Sequence, residues 1–536
     1  MINLSNPCPP VAAFLYGKGA PVISSPLRVG CTGHFPSTTV TVSVNSEAYM
    51  EVFRSDLSIE STGIVPQELA EQIVPEALAW ASLHGILMGD KAVESSGKIP
   101  GTGLVHAPVS LLPSPFLESH FKQAIELAPL FNMLVDEVSK NDEFLQKSLS
   151  RTKGADRFTA RLLDIHSLIL QEGIKQEIYL GLHRSDYMAD LRTGNLLQVE
   201  INTISSSFAG LGSRVTGLHR YMVNCIGQRS DLDSKAIPEN EAADGFAKAI
   251  ATAFKEWGNP QAVVLMVVQP GERNMYDQYW LSTKLQEKYG IHVIRRTLAE
   301  VYKSAKLHED NTFSIGKHTI AVVYYRAGYD PKDYPSEDEW SARTLMEKSN
   351  AIKCPSISYH LAGTKKIQQE LAKPGVLERF VKKADDAEKL RRCFAGLWGF
   401  DNNEELQVIE DAIANPDDFV LKPQREGGGN NIYGENIKSK LEELKEGKTA
   451  DSFDAYILMQ RIFPPIHTTY FVRNGEPITQ KSVSELGIFS TFVRKNNEVI
   501  VNEQVGYLLR TKASDTNEGG VATGFAVLDS VYLIED

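Results

Sequence analysis

The segment FVLKPQREGGGNNIY, residues 419–433, ends an apolar run on Lys422 and then sets three glycines in a row, Gly427, Gly428 and Gly429. Glycines let backbone N–H groups close around phosphate oxygens with no Cβ in the way. Lys422 supplies a point charge there, and Glu426 an oxygen donor for the Mg²⁺ that accompanies a nucleotide. A triple glycine also suits an ordinary surface turn; the Lys, Arg and Glu packed beside it favour the phosphate reading.

A second segment, LLQVEINTISSS (residues 196–207), alternates polar and apolar residues. Strand periodicity predicts that Gln198, Glu200 and Asn202 share one face. A carboxylate and an amide oxygen two residues apart on a strand can reach one hard cation, although a solvent-facing strand edge has the same pattern. Cationic residues follow other apolar runs: Arg184, Arg326, and the pair Arg510 and Lys512. Like charges on one strand face repel unless an anion lies between them, and arginine forks suit carboxylates and phosphates. The set points to a ligand with several carboxylates beside a nucleotide. Two look-alike loops fail: Gly447-Lys448-Thr449 has Glu442 where a Walker loop needs its first glycine, and Gly101-Thr102-Gly103 does not continue as GxGxxG. His84, His106 and His166 sit among apolar residues and read as structural.

Elements to position these residues follow from the periodicity. Helices are predicted over 66–92, 116–141, 156–172 and 275–289, with more between 366 and 414. Strands are predicted at 178–182, 196–201, 263–269, 292–296, 320–325, 419–422, 456–461, 468–472, 499–502 and 506–512. Helices alternating with strands indicate an α/β or α+β enzyme-like architecture. The 536 residues, 42% hydrophobic and 23% charged, fit several globular domains with sizeable cores. A net charge of −12 and an isoelectric point near 5.6 give no basic footprint for nucleic acid. No apolar run approaches the roughly 18 residues of a membrane helix. Five scattered cysteines without CxxC spacing offer neither a zinc site nor a disulfide frame and fit a reducing compartment. Residues 1–46 contain no Asp or Glu but ten Ser or Thr, the composition of a transit peptide, particularly a plastid one; a tail without an address is the other reading.

From about Pro66 to Leu533 the chain resembles the eukaryotic-type glutathione synthetases of the ATP-grasp superfamily. The resemblance is carried by LHRSDYM (182–188), EINTISSSF (200–208), ERN (272–274), RAGY (326–329), LAGTKK (361–366), KPQREGGGNN (422–431), SELGIF (484–489), LLRTK (508–512) and GGV (519–521). It implies an ATP-grasp fold with an inserted parallel-sheet substrate domain at 264–366, a core formed by 58–263 and 367–536, and a glycine-rich lid. It implies a homodimer that joins γ-glutamylcysteine to glycine at the expense of ATP, with Mg²⁺ as cofactor. By position, Glu200, Asn202 and Glu426 match the metal ligands. The ATP contacts match Glu200, Lys365, Lys422, Glu426, Gly427, Gly428, Gly429, Asn430, Asn431, Tyr433, Met459, Gln460, Arg461, Ile462, Glu485, Lys512 and Glu518. The γ-glutamylcysteine contacts match Ile204, Ser205, Ser206, Ser207, Glu272, Arg273, Asn274, Gln278, Arg326 and Tyr329. Arg184, the catalytic candidate, and Arg510 fall near the reacting carboxylate and the glycine end, and Val521 and Ala522 in a second loop. Glu518 stands where the family has aspartate, and Thr523 where glutathione-forming members have alanine and homoglutathione-forming members proline. The alternatives are a homoglutathione synthetase using β-alanine and a catalytically silent nucleotide-binding protein.

Overall fold

The computed structural model describes residues 65–400, 403–425, 429–448, 452–473 and 475–536. The acid-free leader at 1–46, and Glu426, Gly427 and Gly428 of the glycine-rich segment, lie outside the described residues.

Three sheets organise the chain. The largest has seven strands in the order 467–473, 109–110, 526–529, 498–513, 476–495, 178–190, 195–202. Its backbone is the hairpin of strands Glu476–Lys495 and Glu498–Ala513. Asn496, at φ 51°, takes the left-handed conformation that a tight two-residue turn requires. Strand Ile178–Asp190 pairs with this hairpin on one side and with Asn195–Asn202 on the other.

The second sheet holds four parallel neighbours, 293–296, 263–267, 318–325 and 352–354, extended by the short antiparallel strands 313–315 and 305–307. Every residue of Val263–Val267 is buried. Val263, Leu265 and Val267 enter one core, Val264 and Met266 the other, which explains why the run is apolar rather than alternating. The third sheet is antiparallel, in the order 397–398, 456–460, 419–423, 432–433. Helices Asn403–Ala414 and Glu435–Lys445 cover one face through Ile409, Ile437 and Leu441. Leu197 packs on the other face with Leu397, Ile457 and Met459, bringing the first and third sheets together.

Several elements differ from the sequence reading. The first helix spans Gln67–Leu83 and stops short of Ala92 because Gly85, at φ +68°, turns the chain into a strand, Leu87–Gly89, paired with Leu104–His106. The strand predicted at 178–182 runs on to Asp190, so Arg184 lies in its middle and not at its end. Strand 476–495 has no counterpart among the predicted elements. The three histidines are structural as expected: His84 stacks on Trp80 at 3.6 Å, His106 bonds to Ser82 Oγ at 2.8 Å, and His166 lies 3.2 Å from Asp142. No helix of the described residues is long and apolar enough to cross a membrane.

Buried histidines make stability pH-dependent. Burial lowers the pKa of His183 to about 4 and pulls down those of His219, His360 and His467. Because these folded-state values lie below the unfolded one, the unfolded chain binds more protons. Their contribution is therefore complete above about pH 6.5 and disappears as the pH falls through the folded values. For His183 the window of about 2.5 units corresponds to about 3 kcal/mol. Urea unfolding at pH 7 and pH 4.5 should show a clear loss at the lower pH, reduced in His183→Gln. Equal midpoints at both pH values would exclude this role.

Candidate active site

A charged cleft face is built by alternate residues of the seven-stranded sheet. Register pairs Arg184 with Asn202, Asp186 with Glu200 and with Gly487, and Glu485 with Arg510. Arg184 donates to Asp186 through Nε (2.6 Å) and Nη2 (2.8 Å), and through Nη1 to the Ser207 carbonyl (3.3 Å). Arg510 binds both Asp186 (3.0 Å) and Glu485. The cation cluster is thus compensated by carboxylates, as like charges on one face require. Gly487 faces this cluster because a Cβ there would come within 2.8 Å of Arg184 Cδ and Asp186 Oδ1.

Alternation along Leu196–Asn202 is broken. The register shifts between the pairs Asp186–Glu200 and Tyr187–Gln198, which leaves Val199 as the extra residue of a β-bulge. Glu200 and Asn202 face the cleft as predicted, but Gln198 turns to the opposite side. It is 1% exposed and donates to Ser185 Oγ at 2.7 Å. The bulge carbonyl of Val199 accepts from Lys422 Nζ at 3.0 Å. Lys365 Nζ, at the start of helix Lys365–Ala372, lies 3.4 Å from Glu200 and donates to the Arg425 carbonyl at 2.7 Å. Burial alone would raise the Glu200 pKa, but Lys365, Lys422, Arg510 and Arg184 together outweigh it and hold the carboxyl at about 2. Burial pushes the Glu485 carboxyl up against the pull of Arg510, and it pulls the Lys512 ammonium down.

The donor set fits a hard divalent cation. Asn202 Nδ2 donates to Asp186 Oδ2 (3.0 Å) and the Arg184 carbonyl (3.3 Å), which fixes the amide so that its oxygen is the remaining acceptor. Beside it stands the ionised Glu200 carboxylate. Among the described residues no group of three acidic, His or Cys ligands occurs; Glu426, the third expected donor, lies outside them.

A second polar cluster surrounds residues 203–208, joined to the first by the bond from Arg184 to the Ser207 carbonyl. Ser205 (φ 54°) and Phe208 (φ 71°) both adopt the left-handed conformation, which non-glycine residues keep only when their surroundings enforce it. Arg326 enforces it by donating to the Ser205 carbonyl and to Ser207 Oγ (2.8 Å). Asp277 adds the N–H groups of Phe208, Gly210 and Leu211 at 2.8–3.1 Å and lies 3.6 Å from Arg326. Glu272 receives Gln278 Nε2 (2.7 Å) and the Asn274 N–H (2.8 Å), and Arg295 binds Gln278 Oε1 (2.6 Å). The Arg273 carbonyl accepts from the Gly89 N–H, and the Tyr329 hydroxyl from Gln269 (3.3 Å). Ser206 turns away: its Oγ donates to the Leu182 and Asn202 carbonyls inside the fold. Ile204 is likewise buried.

Replacing Asp277 by Ala should leave three buried N–H groups without an acceptor and remove the carboxylate beside Arg326, a loss of about 3 kcal/mol. The urea midpoint measures it, and a change below about 0.5 kcal/mol would remove Asp277 as the anchor of this loop.

The glycine-rich segment is met from across the cleft. The Gly429 N–H donates to Glu518 Oε2 (2.7 Å), so the longer acidic side chain still reaches the segment. Lys512 Nζ binds the Asn517 carbonyl (2.6 Å) and Arg461 binds Asn517 Oδ1 (3.1 Å). Burial raises the Tyr433 hydroxyl to about 12; Asn431 bonds to it, and Glu518, Glu485 and Arg461 act on it electrostatically. Gln460 is tied to the Gly396 backbone, and the Met459 side chain is buried in the cluster that Ile462 borders. Asn430 is exposed on the same segment. In the second loop Val521 is buried in the core, whereas Ala522 is exposed and Thr523 closes the turn onto the Gly520 carbonyl (2.8 Å). Sequence reasoning missed Asp186, Asp277, Gln269 and Arg295. Only Asp186 carried a signal, being two residues from Arg184 on the same strand.

The fold has a solved counterpart. A glutathione synthetase-like effector from Globodera pallida, in its apo form, superposes with a TM-score of 0.69 at 24% identity, over 89% of this chain and 99% of its own. The two chains share this mixed α/β fold. The family model for the eukaryotic glutathione synthase ATP-binding domain matches residues 67–533. The chloroplastic glutathione synthetase of Arabidopsis thaliana is 54% identical over 468 residues, 87% of this chain and 86% of that one. That of Solanum lycopersicum is 55% identical over 471 residues (88% and 85%), and the human glutathione synthetase 43% over 474 (87% and 97%). This chain belongs to the eukaryotic glutathione synthetase family.

Proposed function

We propose that the chain makes glutathione from γ-glutamylcysteine, glycine and ATP, and that the charged face of the seven-stranded sheet carries the reaction. The supporting observation is the convergence of Lys365, Lys422, Arg184 and Arg510 on the Glu200 carboxylate. In this reading the dipeptide carboxylate attacks the γ-phosphorus of ATP, and ADP leaves with the bond's electron pair. The glycine amine then attacks the resulting acyl phosphate at carbon, losing a proton as phosphate departs. A free carboxylate is a poor acyl donor, so activation comes first.

The residues of this chain position and neutralise more than they react. Lys365 and Lys422, with the backbone of the glycine-rich segment, hold the phosphates. Arg184 faces the reacting carboxylate and Arg510 the glycine end. Arg326, Ser205, Ser207, Glu272, Gln278 and Tyr329 hold the γ-glutamyl portion. Mg²⁺, held by Glu200, Asn202 and Glu426, would neutralise phosphate oxygens. Residues 264–366 form the substrate domain within a core made by 58–263 and 367–536, the lid carries the glycine-rich segment, and two copies form the dimer. The leader composition and the two plant relatives named chloroplastic support a plastid address.

The test is product identification with γ-glutamylcysteine, Mg²⁺-ATP and competing glycine and β-alanine. One glutathione, one ADP and one phosphate per turnover are expected, with glycine preferred. The acceptors differ by one methylene, which a pocket separates by only about 1–3 kcal/mol. The Ala522→Leu/Thr523→Pro variant, which enlarges one side chain and fixes φ at the next, should shift the choice towards β-alanine. Homoglutathione as the main product of the parent enzyme would overturn the glycine assignment.

A further inference from the structure

We infer that Asp186 is a positioning residue for this reaction: it touches no reacting atom but sets the direction of both cleft arginines and of the Asn202 amide. The inference rests on the reading of Asn202 as a metal donor. The Asp186 carboxylate is 0% exposed. Its Oδ2 accepts from Arg184 Nη2 (2.8 Å), Asn202 Nδ2 (3.0 Å) and Arg510 Nη2 (3.0 Å), and its Oδ1 from Arg184 Nε (2.6 Å). A carboxylate offers about four acceptor sites, two on each oxygen, so three donors saturate Oδ2 and one engages Oδ1. Gly487 backs Oδ1 so closely that a methyl group there would come within 2.8 Å of it.

Each bond has a consequence across the cleft. With Nε and one Nη2 proton occupied by Asp186 and one Nη1 proton by the Ser207 carbonyl, Arg184 can offer a substrate only its remaining Nη1 and Nη2 protons. With Nδ2 held by Asp186 and the Arg184 carbonyl, Asn202 can present only Oδ1 to a cation. Without the carboxylate, the guanidinium groups of Arg184 and Arg510, on the two strands that flank 476–495, repel, and the amide is free to present its NH₂ end instead. Partners behind metal ligands commonly matter by about 10- to 100-fold in metal affinity or activity.

Asp186→Asn tests this, with ADP binding measured by calorimetry in the presence and absence of Mg²⁺, alongside kcat and KM for the dipeptide. The folded variant should bind ADP alone as the parent does, because that binding rests on Lys365 and Lys422. The tightening that Mg²⁺ brings should fall about 10- to 100-fold, and kcat should fall more than KM rises. The double variant Asp186→Asn/Asn202→Asp, which returns an oxygen to the cation side, should recover the Mg²⁺ effect but not kcat. Gly487→Ala keeps every charge while crowding the carboxylate, and should change the Mg²⁺ effect in the same direction; it decides the matter if Asp186→Asn does not fold. The inference is overturned if Asn202→Ala loses the Mg²⁺ effect while the deciding variant keeps it within twofold. If Asn202→Ala keeps it too, the donor assignment of Asn202 fails and the inference falls with it.

Discussion

Glu200→Gln is expected to lower kcat/KM about a thousandfold, which is about 4 kcal/mol of transition-state stabilisation. The substitution is nearly isosteric, so the loss is electrostatic. Glu200 is the carboxylate on which Lys365, Lys422, Arg510 and Arg184 converge. Removing its charge leaves those cations to repel one another and takes away a donor for the phosphate-bound cation. The pH dependence follows from the same arrangement. With its pKa held at about 2, below the ordinary carboxylate value, Glu200 stays ionised throughout the working range. What it adds to stability is complete above about pH 4.3 and disappears only as the pH falls through about 2. Glu200 therefore does not set the acid limb of activity between pH 8 and 5. Steady-state kinetics across that range provide the check; a loss smaller than tenfold in the variant would contradict the central role of this carboxylate.

Arg184→Lys should cost about a hundredfold in kcat/KM although the charge is kept, because an ammonium cannot replace a planar fork. The guanidinium spans the two Asp186 oxygens and the Ser207 carbonyl at once, from the middle of a strand. A lysine reaching one of these would leave the others unsatisfied in a site only 5% exposed. Melting temperature separates instability from chemistry: the rate loss should persist at temperatures where the variant is fully folded. Equal kcat/KM for the two proteins would mean that charge alone matters at this position.

The chemistry-bearing residues were more legible in the sequence than the backbone that carries them. Lys422 at the end of strand Phe419–Pro423 could be read directly, because only a strand end was needed. Arg184 was misplaced to a strand end because the apolar run stops at Leu182. The strand continues since its polar residues are paired on one side with the adjacent hairpin strand Asn195–Asn202 and on the other with strand 476–495, distant in sequence. The face shared by Glu200 and Asn202 was correct, but Gln198 was assigned to it as well, and no alternation rule announces the bulge at Val199. Strand 476–495 escaped because its first half is polar and partly exposed, and Gly487 interrupts the rest. Ser206 and Val521 matched family positions by type, yet their side chains serve the interior; a motif names a residue without its rotamer.

The placement of Val109–Ser110 between strands 467–473 and 526–529 has a consequence for how the protein is made. Ser114 bonds to Asp529, 415 residues further along, and Ser114–Leu117 pairs with Val531–Ile534. The sheet that bears the active face cannot close until strand 526–529 has been made, more than 400 residues after strand 109–110. Until then, strand 109–110 and the long hairpin expose unpaired edges, the feature that makes a nascent chain prone to aggregation and dependent on chaperones. Such long-range pairing also slows folding after release, since loop closure must precede any gain from contact. Loss of residues 526–534 would therefore disable the enzyme as thoroughly as loss of a residue that holds its nucleotide.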